Sequence, residues 1–352
     1  MSDLSLDSWP DADSDYDGAA LHNALLGGAA CVIHWRPING LNVLCEVRST
    51  NAAFLQSAAK LFAPWLIPVS DALDNFNRSV EFLRWSVEEP SENGKSEAAL
   101  WKVHALHRDK TEWTESAQGA LSIIEYAALR HMVEQMEPRF FGLHGALLSR
   151  NRRAVLIVGP KTSGKSTLSC ALWKAGWSLH CDDFTLIDNH LRPHPTARRV
   201  SIREGSRELL GEEMWQRMQS VPSSQPSSEG WLFHPHEVDS TNQDSTNAEP
   251  LQLAAVVFLA RRNNDVGEAE LKPLDAARAA LALMPHSTLA NSPEDEHKAN
   301  RVLDWGTILP LLTQLTSSVA SYDLGRGPLP QMIAQVEQVL QPVENRSLAE
   351  SL

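Results

Sequence analysis

Cysteine is scarce: four residues in 352 (Cys31, Cys45, Cys170, Cys181), scattered and with no CxxC pair. That spacing excludes a disulfide framework and a cysteine-based zinc site, and it fits a reducing cytoplasm. No apolar run reaches the roughly 18 residues of a membrane span. The first residues lack a basic stretch followed by an apolar core, so no secretory signal is expected. Positive charge is in deficit, with 31 Lys and Arg against 44 Asp and Glu and a formal charge of −13. A general nucleic-acid or anionic-membrane binder needs a basic footprint, and neither partner is expected here. What the chain does have is apolar material for a core, at 43% hydrophobic residues, and a length suited to about two domains at roughly 100–200 residues each.

Composition shifts along the chain set the expected boundaries. Residues 1–20 open with six Asp and no Lys or Arg within MSDLSLDSWPDADSDYDG, which reads as a solvated acidic tail. Residues 21–138 read as a small α+β lobe. LNVLCEVRST alternates like a half-buried strand, and VEFLRWSV and ALWKVHALH are further strands, with a turn at ENGK, residues 92–95. AAFLQSAAKLFAPWL has helical spacing limited by Pro64. SIIEYAALRHMVEQM places Ile123, Tyr126, Ala127, Leu129, Val133 and Met136 at helical intervals before Pro138. Trp65, Trp85 and Trp173 lie in patterned segments and are expected in the core.

Residues 139–341 alternate strands and helices, the pattern of a three-layer α/β domain, and residues 342–352 form a C-terminal tail. RAVLIVG is a continuous apolar run suited to the centre of a parallel sheet. STLSCALWKAG is a helix ending at Gly176. WSLHCDD, FTLID, LAAVVFLARR and VASYDL are strands, and DAARAALALM and PLPQMIAQVEQVLQ helices. RVLDWGTILPLLTQLTSS is helical, with an interruption expected at Pro310. The Ser-, Asn- and Pro-rich stretches between Met218 and Pro250 read as mobile loops around WLFHPHEV, with Ser223 to Ser228 placed in a lid or docking loop.

Residues 159–166 read Gly159-Pro160-Lys161-Thr162-Ser163-Gly164-Lys165-Ser166, which fills every fixed position of GxxxxGK[ST] between an apolar strand and a helix. The glycines let backbone N–H groups curl around an anion, and the following helix presents its positive end there. Lys165 is of a length to reach β- and γ-phosphates, and the Ser166 hydroxyl is a hard oxygen ligand for Mg²⁺. Thr167 continues the motif. This points to ATP with Mg²⁺. Asp182 and Asp183 follow the next strand, 17 and 18 residues after Lys165. Carboxylates at that end of a sheet hold a cation or take a proton from an attacking hydroxyl. His144, in FGLHGALL, leads into the phosphate-loop strand, and Gly145 permits close backbone approach. Weaker candidates are His234 and His236, an HxH pair with no third ligand fixed by spacing, and Arg198 with Arg199, a basic spot suited to an acidic substrate or to solvent.

The succession HG, GxxxxGKS and Asp-Asp resembles the C-terminal kinase domain of HPr kinase/phosphorylase. CDDFTLID, LRPHPTARRVSIREGS, AAVVFLARR and VASYDLGRGPLPQMIAQVEQVL look like the HPr kinase-related proteins, which include lasso-peptide kinases. The resemblance covers residues 139–341. It implies a P-loop kinase domain that passes ATP's γ-phosphoryl group to a Ser or Thr hydroxyl of a protein or peptide. It further implies Asp182 as general base, Asp183 in the metal or phosphate network and His144 close to the phosphates. HPr kinases carry an acidic residue before an Arg-Gly stretch; here the comparable stretch is VSIREGS, so Arg203 and Glu204 are candidates for a phosphate contact and a second-sphere role. The residues also admit a kinase for a small hydroxyl compound and a nucleotide-binding regulatory module without transfer. A homo-oligomer is equally open.

Overall fold

The computed structural model describes residues 30–38, 41–61, 80–90, 100–106, 109–136, 140–195, 199–227, 230–238, 251–259, 267–287 and 305–341. The two expected tails, ENGK, Pro64, Trp65, Arg198 and the polar stretch 239–250 lie outside the described residues. The fold is mixed α/β, and the chain divides into two compact units at Ala128/Leu129. The expected boundary near residue 138 therefore moves about one helix half upstream, into a continuous helix.

The first unit holds a five-stranded mixed sheet in sequential order: β1 (Ala30–Ile38), β2 (Leu41–Ser49), β3 (Val80–Glu88), β4 (Trp101–Ala105) and β5 (Lys110–Thr114). β2 and β3 run parallel, and α1 (Ala52–Leu61) stands between them in the chain. Asn51 caps α1 through Oδ1, which accepts the Phe54 N–H at 2.9 Å. Val47, Phe54, Ala58, Leu83, Trp85 and Val103 are buried. α2 (Ala117–Met136) buries Leu121, Ile124 and Ala128, whereas Tyr126, assigned to the apolar stripe from spacing, is exposed. The expected Ile123 and Ala127 are half-buried, and the side chains of Leu129, Val133 and Met136 lie outside the described residues.

The second unit is built on a six-stranded mixed sheet ordered β16-β17-β15-β8-β7-β9. Its strands are β7 (Gly145–Arg150), β8 (Arg153–Val158), β9 (Ser178–Cys181), β15 (Gln252–Leu259), β16 (Leu271–Leu274) and β17 (Ala320–Leu324). β8 is central but not in a parallel sheet: it runs parallel to β15 and antiparallel to β7. The cause is the connection. β7 and β8 are joined by Asn151 and Arg152 alone, both at positive φ (51° and 64°). Two residues of that conformation can only turn a hairpin.

Alternate residues of β8 face opposite cores. Val155 and Ile157 pack with α3 (Lys165–Lys174) and with α9 (Leu329–Gln338), while Ala154, Leu156 and Val158 pack with α7 (Ala276–Leu283) and α8 (Trp305–Ser318). α3 ends as its sequence suggests. Gly176, at φ 88°, donates to Trp173 O, and Trp177 N–H donates to Leu172 O, the paired bonds of a left-handed C-terminal cap. α8 continues through Pro310, contrary to the expected break. The proline lies in the second turn with an exposed ring, and buried Ile308, Leu312 and Leu315 hold the helix on either side.

Two small antiparallel sheets flank the main one. One is β11-β10-β6: β6 (Phe140–Leu143), β10 (Thr185–Asp188) and β11 (Pro193–Pro195). The other is β12-β14-β13: β12 (Val200–Arg203), β13 (Gln225–Ser227) and β14 (Gly230–Phe233). Between β12 and β13 come the short α4 (Arg207–Leu210) and α5 (Glu212–Ser220). Among the described residues, the Ser-rich stretch read as a mobile loop forms the end of α5, a turn and β13 over 219–227. Ser223 is 1% exposed, its hydroxyl donates to Glu237, and it accepts the His234 N–H at 2.9 Å. Glu237 lies on α6 (Pro235–Val238) and fixes the turn.

Candidate functional site

The loop between β8 and α3 carries the GxxxxGKS residues. Its turns are made by Thr162 at φ 70° and Gly164 at φ 99°. The curl is tight: a Cβ on Gly159 would stand 2.7 Å from Ser163 Oγ and 2.9 Å from Leu259 O. Gly164 is the N-cap of α3 and has no side chain to accept from the first turn's N–H groups. Ser163 is 3% exposed, and its hydroxyl has no hydrogen-bond partner among the described residues. Lys165 Nζ donates to Gly159 O at 3.0 Å, folding the side chain over the loop. Burial pushes the Lys165 pKa below its ordinary value, and the charges of Asp183 and Asp182 push it back up. Ser166 is partly exposed, and Lys161 and Thr167 are exposed.

The neighbouring strands bring the other candidates to the same end. β9 is parallel to β8 with antiparallel β7 between them. The C-terminal end of β9, with Asp182 and Asp183, thus lies at the same edge as the loop, and the start of β7 lies between. His144, the single residue between β6 and β7, occupies that gap. Main-chain bonds tie the pieces: Gly145 N–H donates to Asp183 O at 3.0 Å, and His144 N–H donates to His286 O at 2.6 Å. The close approach expected of Gly145 is real, since a Cβ there would stand 2.9 Å from Leu156 Cδ1 and Val158 Cγ1.

The two aspartates differ. Asp182 Oδ2 accepts the Ser201 N–H at 2.9 Å, which ties it to β12. Asp183 is 46% exposed, with Oδ1 3.7 Å from Nδ1 of His144, itself 42% exposed. The His144 ring also meets Phe184 edge-on, at 6.0 Å between centroids.

Sequence reasoning missed two residues. His286 follows α7 and is brought to His144 by the backbone bond and by a bridge between Leu143 and Ser287. Its pKa is pushed down to about 4, by burial first and then by the positive charges of Lys165 and His144. Nothing in its spacing marks it. Arg326 follows β17, with Nη2 4.0 Å from where a Cβ on Gly164 would stand. Its signal was available: a Gly-Arg-Gly turn between a strand and a helix in an α/β domain.

Other candidates have partners of their own. Arg199 is 2% exposed and donates to Gln225 at 2.8 Å, so it is interior rather than a solvated basic spot. Arg203 and Glu204 are exposed, and Glu204 pairs with Arg207 at 3.2 Å. His234 is buried, with its ring 5.5 Å from that of His236. Among the described residues no group of three His, Cys, Asp or Glu side chains could hold a metal. The loop still suits a phosphate with Mg²⁺, because that ion commonly takes one or two protein oxygens and completes its shell with phosphate and water. Ser166 with a carboxylate of the Asp pair supplies such a set. No protein-family model and no curated protein sequence matches the chain.

Proposed function

We propose that the chain is a Mg²⁺-ATP-dependent kinase of HPr kinase-like type, transferring the γ-phosphoryl group to a Ser or Thr hydroxyl of a protein or peptide. The observation that carries this reading is the convergence, at one sheet edge, of the GxxxxGKS loop with Lys165, Asp182, Asp183 and His144. The loop N–H groups of Gly159 and of Lys161 to Thr167, apart from that of Ser163, which donates to Pro160 O, bind the substrate's phosphates together with the Lys165 ammonium. Bound Mg²⁺ supplies charge neutralisation on those phosphates, held by Ser166 and a carboxylate. The fixed, preoriented donors need no rearrangement as negative charge shifts toward the leaving oxygen.

The roles of the two aspartates follow from their surroundings. The resemblance implies Asp182 as base and Asp183 as metal or phosphate support. The geometry favours the exchange. Asp182 already accepts a main-chain N–H and serves as the fixed charge toward the cation. Asp183 is open to an incoming hydroxyl and is steadied by His144. In this assignment Asp183 takes the acceptor hydroxyl's proton while the hydroxyl oxygen bonds to the γ-phosphorus. The bond to the β–γ bridging oxygen breaks, leaving ADP and a phosphoserine or phosphothreonine.

Two variants test this. Lys165→Ala is expected to weaken Mg²⁺-ATP binding by about 10- to 100-fold in calorimetry, the worth of a charged hydrogen bond. Unchanged affinity overturns the phosphate-loop reading. Asp183→Asn is expected to bind ATP normally while transfer of radiolabel to a Ser/Thr peptide library falls by about 10²–10⁴, the usual share of a general base. If Asp182→Asn alone shows that loss, the roles revert. Label appearing only on small hydroxyl compounds overturns the protein acceptor.

A further inference from the structure

The phosphate loop has two flanks. On one stand Asp182, Asp183 and His144, at the ends of β9 and β7. On the other, β15 and β17 run parallel to β8, so their C-terminal ends open at the same edge. β17 ends at Leu324 and continues into Gly325-Arg326-Gly327-Pro328, which leads to α9.

This short connection is pinned. Gly325 N–H donates to Glu270 O at 2.8 Å. A Cβ on Gly327 would stand 2.3 Å from Ala269 N, so the chain there passes against another backbone that only glycine allows. Ala269 N–H in turn donates to Gln331 Oε1 at 3.2 Å, tying the start of α9 to the same segment. The Arg326 guanidinium is thereby held beside Gly164. It is partly buried, and among the described residues it makes no hydrogen bond or ion pair.

Gly164 heads α3, whose first turn presents the positive end of the helix, and the next residue is Lys165. A guanidinium that makes no ion pair among the described residues and is held at the positive end of a helix is stabilised by an anion that joins the two. The guanidinium fork is suited to phosphate oxygens. The buried, unpartnered Ser163 hydroxyl within the same loop is a second sign of a missing ligand.

We infer that Arg326 is a nucleotide-binding residue whose guanidinium engages the phosphate chain from the β17 flank, leaving the Asp183 flank to the acceptor. The inference rests on the phosphate-loop reading above.

Calorimetric titration of the full chain with Mg²⁺-ATP and with Mg²⁺-tripolyphosphate tests it. Arg326→Ala is expected to weaken both ligands by about 10- to 100-fold. Arg326→Lys is expected to recover part of the loss, because it keeps the charge without the fork. The ligand-free melting temperature is expected to stay put in both variants, since no described partner is lost. Wild-type affinity in Arg326→Ala, with binding lost in Lys165→Ala, overturns the inference and leaves the phosphate loop standing. A loss for ATP but not for tripolyphosphate also overturns it, placing the contact on the base or ribose. If the wild-type chain binds neither ligand, the phosphate-loop reading fails and the inference fails with it.

Discussion

Three side chains show how neighbours decide what a residue can do. Burial pushes the Cys170 and Cys181 thiols up to about 12, so both stay protonated and act as small apolar groups in the core. His286 moves the other way, from an ordinary 6.5 down to about 4. The unfolded chain takes up this proton near 6.5, and the folded chain does so only near 4. Between those values the unfolded state binds more protons, so His286 makes the fold lose stability as pH falls through that window. Above 6.5 it contributes no pH dependence. His286→Gln is therefore expected to lose less stability than wild type between pH 7 and pH 5, read as the urea midpoint. Equal losses would show that neither burial nor the neighbouring charges oppose a ring proton there. Lys165 and the loop glycines are legible in the sequence because the GxxxxGK[ST] pattern fixes their spacing. His286 is not, because only the backbone bridge at Leu143 and Ser287 recruits it.

At the scale of elements, local rules carried α3, β8, β15, β17 and α9, whose periodicity and punctuation agree with their surroundings. They failed where a turn had unusual chemistry. Asn151-Arg152 turns a hairpin with a non-glycine residue at φ 64°, so no glycine advertises it, and the strand order around β8 was misread as parallel. The Ser-rich stretch failed for the opposite reason. Its composition suggests a loop, but Ser223 spends its hydroxyl on Glu237 and His234 and becomes interior. The β7–β8 pairing is where an element can be tested. In Gly145→Ala the new methyl group meets two side-chain ends and, at 3.0 Å, the Ile157 carbonyl, which cannot rotate away. The strands must part slightly, and a loss of about 1–3 kcal/mol is expected, as for other overpacked sites. A melting temperature equal to wild type would show that the sheet absorbs the methyl group freely.

For the molecule as a whole, the division at Ala128/Leu129 assigns every proposed site residue, from His144 to Arg326, to the second unit. A chain beginning at Leu129 is expected to bind Mg²⁺-ATP with the affinity of the whole chain in calorimetry. Loss of binding with an intact fold by circular dichroism would make the first unit part of the nucleotide site. Of the first unit's strands, β2, β3 and β4 were legible in the sequence, whereas β1 and β5 were not.

The loops that carry His144, Asp183 and His286 are fastened to one another through peptide groups, besides the His144–Asp183 side-chain contact. A frame of that kind is indifferent to which side chains it displays. Proline at 144 or 145 would remove a donor, and a larger residue at 145 would meet β8, but the remaining display positions are free to vary without dismantling their support. Substitutions at 183 and 286 are therefore expected to change the chemistry displayed there while leaving the folded loops in place, because the carbonyls that hold them stay the same.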